Sequence, residues 1–392
     1  MGHIKFLTFF FFFFLTVSCD DFEIVPVHLD TYLKLYTQDK GQVMNAVQNS
    51  LFDDITKYIN YGVSLYTITY NTTYKGENIK ASGLVAFPET TNNVPILNFN
   101  HGTTSLHRDA PTEDLFQYSF FSNAASAGYI FVIPDYLGFG VSDDILHPYY
   151  RSDITGLTIV DMLRATKELA EIEGYNFNGD VFLSGYSEGG FATMSAHKTL
   201  EENNFQGLNL VASAPAAGGY DMTGMLNYFL SLETYHQPYY LAYVAFSYKT
   251  SYDWGLQLSD IFNEPYASLI PQYFNGQHSG GEINSVLSYS VNLLLNENFR
   301  NNFYTDPSLN VVVEAFEENS FNQWVPKTKM FMYHGTADIT VPYQNSVDTY
   351  NNFIANGVNS SLVEFIPLES RTHSTGAIPY ILDIFDKFEN LK

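Results

Sequence analysis

The sequence predicts an α/β fold: a mostly parallel, eight-stranded sheet with helices on both faces and a mainly helical cap inserted late in the chain. Three observations lead there. Short apolar runs alternate with helical patterns over most of the 392 residues, the rhythm of a parallel sheet covered on both sides. The hexapeptide Gly185-Tyr186-Ser187-Glu188-Gly189-Gly190 directly follows the apolar run Val181–Leu183. Between Ala216 and Trp324 the alternation stops, and aromatic residues crowd the segment instead.

Taken in order, the elements justify that reading. Val63–Tyr70 and Ile79–Phe87 alternate in polarity and flank Gly76, as two antiparallel strands around a turn would. Ile96–Phe99, Ile130–Ile133, Val181–Leu183, Leu208–Ala212, Met330–Tyr333 and Leu362–Ile366 are short continuous apolar runs, the pattern of strands buried on both faces. Helical patterns lie between or after them at Phe116–Ala127, Asp153–Ile172, Gly189–Glu201, Tyr343–Ala355 and Ala377–Phe388. Residues 20–60 fall outside this pattern and are expected to form a helical lead-in. The core then spans 61–214 and 325–392, and the cap 215–324. The cap is too long for a structureless loop. Its rings, among them Tyr228, Phe229, Tyr235, Tyr240 and Trp254, serve either as a roof over an apolar substrate or as the cap's own small core.

The chemistry is carried by spacing. Gly185 and Gly189 flank Ser187 where a side chain would collide with the neighbouring strand or helix, so the serine is expected on a sharp strand-to-helix turn with its hydroxyl exposed. Asp338 follows the strand ending at Tyr333, and His373 lies in the loop after Leu362–Ile366. Singly, such an Asp is as well read as a turn or cap residue, and such a His as a solvated one. In the order Ser, Asp, His they make a nucleophile, a base and the acid that orients it. The oxyanion donors are expected at the N–H groups of Glu188 and Thr103, the latter in the turn His101-Gly102-Thr103 after Ile96–Phe99. The Thr103 hydroxyl is a candidate third donor. Asp135, after Ile130–Ile133, is read as structural because Asp338 fills the acid position. His334 is assigned to a strand-end turn, and His147 no more than a place before the nucleophile.

Together the stretches Phe99–Thr103, Ile133–Gly140, Gly185–Gly190, His334–Pro342 and Thr372-His373 resemble the α/β-hydrolases. More narrowly, the chain is similar to secreted lipases and esterases with a large cap before the acid residue. The resemblance implies hydrolysis of a carboxylic ester through an acyl-enzyme, with no metal or organic cofactor, on a substrate with an apolar acyl or aryl part. A serine peptidase of the same fold is the alternative, and a non-catalytic binding protein on this scaffold a more distant one.

Composition bounds the setting. Lys and Arg total 18 against 42 Asp and Glu, a net charge of −24, which argues against nucleic acid or anionic membrane as partners. Lys5 precedes an apolar run from Phe6 to Val17, too short for a spanning helix of ~20 residues and suited to a signal h-region. Cys19, the single cysteine, ends it and resembles a relaxed lipobox, which would make residues 1–19 a signal and Cys19 a lipid anchor. The other reading is an ordinary signal with an incidental cysteine. With one cysteine, no disulfide forms within the chain.

Overall fold

The computed structural model describes residues 27–392; the signal segment and Cys19 lie outside them. Nine strands form one sheet in the order β1-β2-β3-β5-β4-β6-β7-β8-β9. These are β1 (Leu29–Gln38), β2 (Val63–Tyr74), β3 (Glu77–Pro88), β4 (Val94–Asn100), β5 (Ile130–Pro134), β6 (Phe177–Tyr186), β7 (Asn209–Ala216), β8 (Lys329–Gly335) and β9 (Val363–Leu368). From β4 and β5 onward to β9 neighbouring strands run parallel, while β1, β2 and β3 pair antiparallel and β3 meets β5 antiparallel. The β2–β3 hairpin turns at Lys75 and Gly76, both at positive φ, the two-residue turn whose twist suits an antiparallel pair.

Eight strands were expected and nine are present among the described residues. The additional strand is β1, in the segment expected to be a helical lead-in. An edge strand exposed along most of its length (Leu33 is 62% exposed) has no buried face to impress a two-residue period on its sequence. The helical expectation is met only after it, at α1 (Lys40–Val47), where Asp39 and Gln42 cap each other's backbone.

Helices α2 (Leu115–Ser122), α3 (Ser152–Glu173) and α4 (Glu188–Glu202) follow in the first half of the chain, and α13 (Tyr343–Ala355) and α14 (Ala377–Glu389) close the second. Apolar clusters lie on both sides of the sheet. One joins Leu65, Leu97, Phe131 and Phe182 to Tyr380 and Phe388 of α14; the other joins Ile96, Val132 and Val181 to Ile159 and Leu163 of α3. Between β7 and β8 the chain leaves the sheet and builds α5 (Met222–Ser231), α6 (Pro238–Ser251), α7 (Leu258–Ile261), α8 (Tyr266–Tyr273), α9 (Gly280–Val286), α10 (Val291–Leu294), α11 (Glu297–Asn302) and α12 (Asn310–Glu318). These short helices pack around their own apolar cluster, which runs on to Tyr149, Tyr150 and Phe191 of the sheet-bearing part.

Candidate active site

Ser187 stands between β6 and α4 with φ 64° and ψ −123°, a left-handed conformation that costs of order 1–3 kcal/mol for a side-chain-bearing residue. The surroundings hold it there. A Cβ on Gly185 would run into the carbonyl oxygen of Gly189, and one on Gly189 into that of Asn100 at the end of β4. Only with both positions bare can helix and strand ends close around the serine. The Ser187 N–H donates to Ala216 O at 2.8 Å. Behind it the buried Tyr380 hydroxyl, from α14, accepts the Gly185 N–H at 2.7 Å and donates to Ala214 O at 2.5 Å. It bridges β6 and β7 directly beneath the turn.

Strand ends bring the other two residues to this point. Ser187 Oγ lies 2.8 Å from His373 Nε2, and His373 Nδ1 lies 2.6 Å from Asp338 Oδ2. Asp338, just past β8, uses its other oxygen to accept the N–H groups of Thr340 and Val341 at 2.9 and 3.1 Å. Burial pushes its carboxyl up, but hydrogen bonds and charge from His334 and His373 outweigh that and hold it at about 2. Tyr186, next to the serine, donates its hydroxyl to His373 O at 2.7 Å and so ties the histidine loop to the turn.

His334 has a larger part than its strand-end position suggested. Its ring is fully buried, Ser346 Oγ lies 2.6 Å from Nδ1, and Nε2 faces Asp338 Oδ2 at 3.2 Å and Val341 O at 3.0 Å. With the hydroxyl donating to Nδ1, Nε2 carries the proton and donates it to Val341 O with the carboxylate alongside.

Gly102 lies against the turn: a Cβ there would be 3.7 Å from that of Ser187. Neither the Thr103 N–H nor the Glu188 N–H has a protein acceptor among the described residues. Glu188 opens α4, where the first N–H groups have no partner within the helix. The Thr103 hydroxyl, a candidate third donor, is paired with Tyr149 Oη at 2.9 Å. Asp135 lies elsewhere, fully buried, accepting from Ser82 Oγ and from the N–H and hydroxyl of Thr112. Burial raises its carboxyl to about 6 against these hydrogen bonds.

Ser187 also lines a cavity that extends into the inserted helices. Its wall is almost wholly apolar, with Leu226, Phe229, Val244, Trp254, Phe262 and Phe316 among its residues. The aromatic residues of the insertion do not divide into wall residues and core residues. Phe229, Trp254 and Phe262 line the cavity and also belong to the insertion's own buried cluster.

The sheet order, the strained turn after β6 and the helices on both faces define an α/β-hydrolase. The family model described as secretory lipase matches residues 115–380. The chain belongs to that family and is an ester hydrolase. Among solved structures, a Legionella pneumophila protein assigned to the hydrolases is 29% identical with a TM-score of 0.82, over 93% of this chain and 98% of that one. The rice cell wall degrading esterase LipA from Xanthomonas oryzae is 23% identical with a TM-score of 0.80, over 93% and 99%. Candida antarctica lipase A in its closed state shares the fold at 18% identity and a TM-score of 0.68, over 93% and 82%. A search of curated protein sequences gives no match.

Proposed function

We propose that the chain is an exported serine hydrolase that cleaves carboxylic esters through an acyl-enzyme, with Ser187, His373 and Asp338 as nucleophile, base and orienting acid. The observation that carries this is the unbroken line of hydrogen bonds from Ser187 Oγ through His373 to Asp338, at the mouth of an apolar cavity. Ser187 Oγ attacks the ester carbonyl carbon while its proton passes to His373 Nε2. The imidazolium so formed keeps its Nδ1 proton directed at the Asp338 carboxylate, which stabilises it. The carbonyl oxygen, now an oxyanion, accepts from the N–H groups of Thr103 and Glu188. The tetrahedral adduct collapses, the C–O bond to the alcohol breaks, and His373 returns the proton to the leaving oxygen. Water then attacks the acyl-enzyme by the same route and releases the acid and Ser187.

The cavity sets the substrate class. A wall this apolar favours a hydrocarbon acyl or aryl group, each buried methylene contributing about 0.8 kcal/mol. Export rests on the family and on the apolar segment Phe6–Val17; among the described residues no helix is long and apolar enough to cross a membrane. Attachment through an acylated Cys19 is part of the same proposal and rests on sequence alone.

The test is direct. Wild type is expected to hydrolyse p-nitrophenyl esters and to be labelled stoichiometrically by a fluorophosphonate. Ser187→Ala is expected to lose both while melting like wild type. Retained turnover in Ser187→Ala would remove the serine from the mechanism, and preferential cleavage of an amide over the matching ester would replace the esterase with a peptidase.

A further inference from the structure

We propose that His147 is a positioning residue for the oxyanion hole: with Tyr149 it fixes both residues that supply the N–H donors, and it cancels the charge that Glu188 would otherwise hold beside the developing oxyanion. This rests on the assignment of Thr103 and Glu188 as donors made above.

The geometry starts with a pair of buried groups that the mechanism leaves unused. His147 and Glu188 are each 3% exposed. His147 Nε2 lies 2.6 Å from Glu188 Oε1, and its Nδ1 lies 2.6 Å from Leu137 O. A backbone carbonyl only accepts, so Nδ1 carries a proton. At 2.6 Å a bare Nε2 lone pair facing a carboxylate lone pair would repel, so a second proton lies on the line between Nε2 and Oε1. Whichever atom holds that proton, the pair as a whole is neutral. Glu188 therefore occupies the position after the nucleophile without opposing the negative charge that forms there. An unpaired carboxylate at the same place would be costly both to bury and to the transition state.

One short segment serves both donors. Two residues after His147, the Tyr149 hydroxyl meets Thr103 Oγ1 at 2.9 Å. Tyr149 N–H donates to His147 O at 2.8 Å, which folds the segment tightly around Pro148. Behind it Gly138, at φ 89°, leaves room for the backbone of His147, which a Cβ would strike. Above it lies α6. Tyr243 stacks on Tyr149 with centroids 4.4 Å apart and 12° between planes, and its ring edge meets His147 at 5.8 Å. Ser247 Oγ and Tyr248 Oη, one turn on, donate to Tyr149 O and Tyr150 O. The two oxyanion residues are thus held from one side by a strut that the inserted helices clamp in place.

The test compares wild type with His147→Phe and with the double variant His147→Phe/Glu188→Leu. Phenylalanine suits the surrounding rings but holds no proton. The readouts are kcat and KM on p-nitrophenyl butyrate, affinity for a trifluoromethyl ketone that mimics the tetrahedral adduct, and the melting transition. Deleting an oxyanion donor costs about 10²–10³ in rate, and displacing one costs less. His147→Phe is accordingly expected to lower kcat roughly 30- to 100-fold, with KM within about threefold, and to weaken the ketone in parallel. The double variant removes the stranded carboxylate and is expected to recover roughly tenfold of that loss but not the wild-type value. It also decides the matter if His147→Phe does not fold. A folded double variant with kcat and ketone affinity within twofold of wild type overturns the proposal, as does a loss in His147→Phe confined to KM. Wild-type protein that fails to react with a fluorophosphonate would instead overturn the serine mechanism itself.

Discussion

Replacing Asp338 with Asn changes one atom, and its consequence follows from which atom. Asp338 Oδ1 accepts two backbone N–H groups, from Thr340 and Val341. Only the amide oxygen of Asn can take that place, so the amide nitrogen must stand where Oδ2 was, facing His373 Nδ1 across 2.6 Å. An NH₂ there donates to Nδ1 and forces the imidazole to carry its proton on Nε2. That nitrogen then presents a hydrogen, not a lone pair, to Ser187 Oγ, and the base can no longer accept. His334 Nε2–H faces the same atom at 3.2 Å, a donor opposite a donor, but rotating the amide would instead set its NH₂ against the two N–H groups of Thr340 and Val341. The expected loss is about 10⁴ in kcat, or roughly 5 kcal/mol of transition-state stabilisation, with little change in KM. The assay is p-nitrophenyl ester turnover of protein whose folding is verified by its melting transition. Activity within tenfold of wild type would refute the reasoning and return Asp338 to the role of a helix cap.

Two more outcomes are expected. The Asp135 carboxyl titrates at about 6 in the fold against 3.8 in the free side chain, so the native state holds its proton more tightly. The stability this contributes is complete below about pH 4 and is lost as the pH rises through 6, roughly 3 kcal/mol in all. Ser82 and Thr112 can turn their hydroxyls to an amide, so Asp135→Asn should flatten the pH 4–7 stability profile in denaturant titrations while ester turnover is kept; a hundredfold loss of turnover would make Asp135 more than structural. Val244→Trp should fill the cavity next to Ser187 and abolish the preference for longer chains. Wild type is expected to favour octanoate over butyrate by about two orders of magnitude in kcat/KM, at about 0.8 kcal/mol per methylene, and the variant to lose that margin; an unchanged ratio would place the acyl group elsewhere.

The parts of this arrangement that were legible in the sequence are those with a local signature. Ser187 is announced by its flanking glycines and the preceding apolar run, and Asp338 and His373 by following strands in a fixed order. The adjacency of the three, at 2.8 and 2.6 Å, needed only the parallel sheet. The residues that hold them were not legible, because each acts across a long separation. Tyr380 reaches Gly185 from 195 positions away, and His147 reaches Glu188 from 41. A tyrosine on an amphipathic helix and a histidine in a loop carry no mark of such partners. His334 was visible but read by its turn position, since nothing in the order of residues says that its ring folds back onto Asp338. Strand β1 was missed for the opposite reason, having too little buried surface to show a pattern at all.

Tyr380 bears on how the turn at Ser187 is completed. The hydroxyl that bridges Gly185 and Ala214 comes from α14, 195 and 166 positions further along the chain. Until that helix docks, a backbone donor and a backbone acceptor under the serine lie without this partner in a place closed to water, and the turn above them rests on an unfinished floor. His373, a few residues before α14, reaches Ser187 from the same part of the chain. The turn at Ser187 is therefore complete only once α14 has docked beneath it.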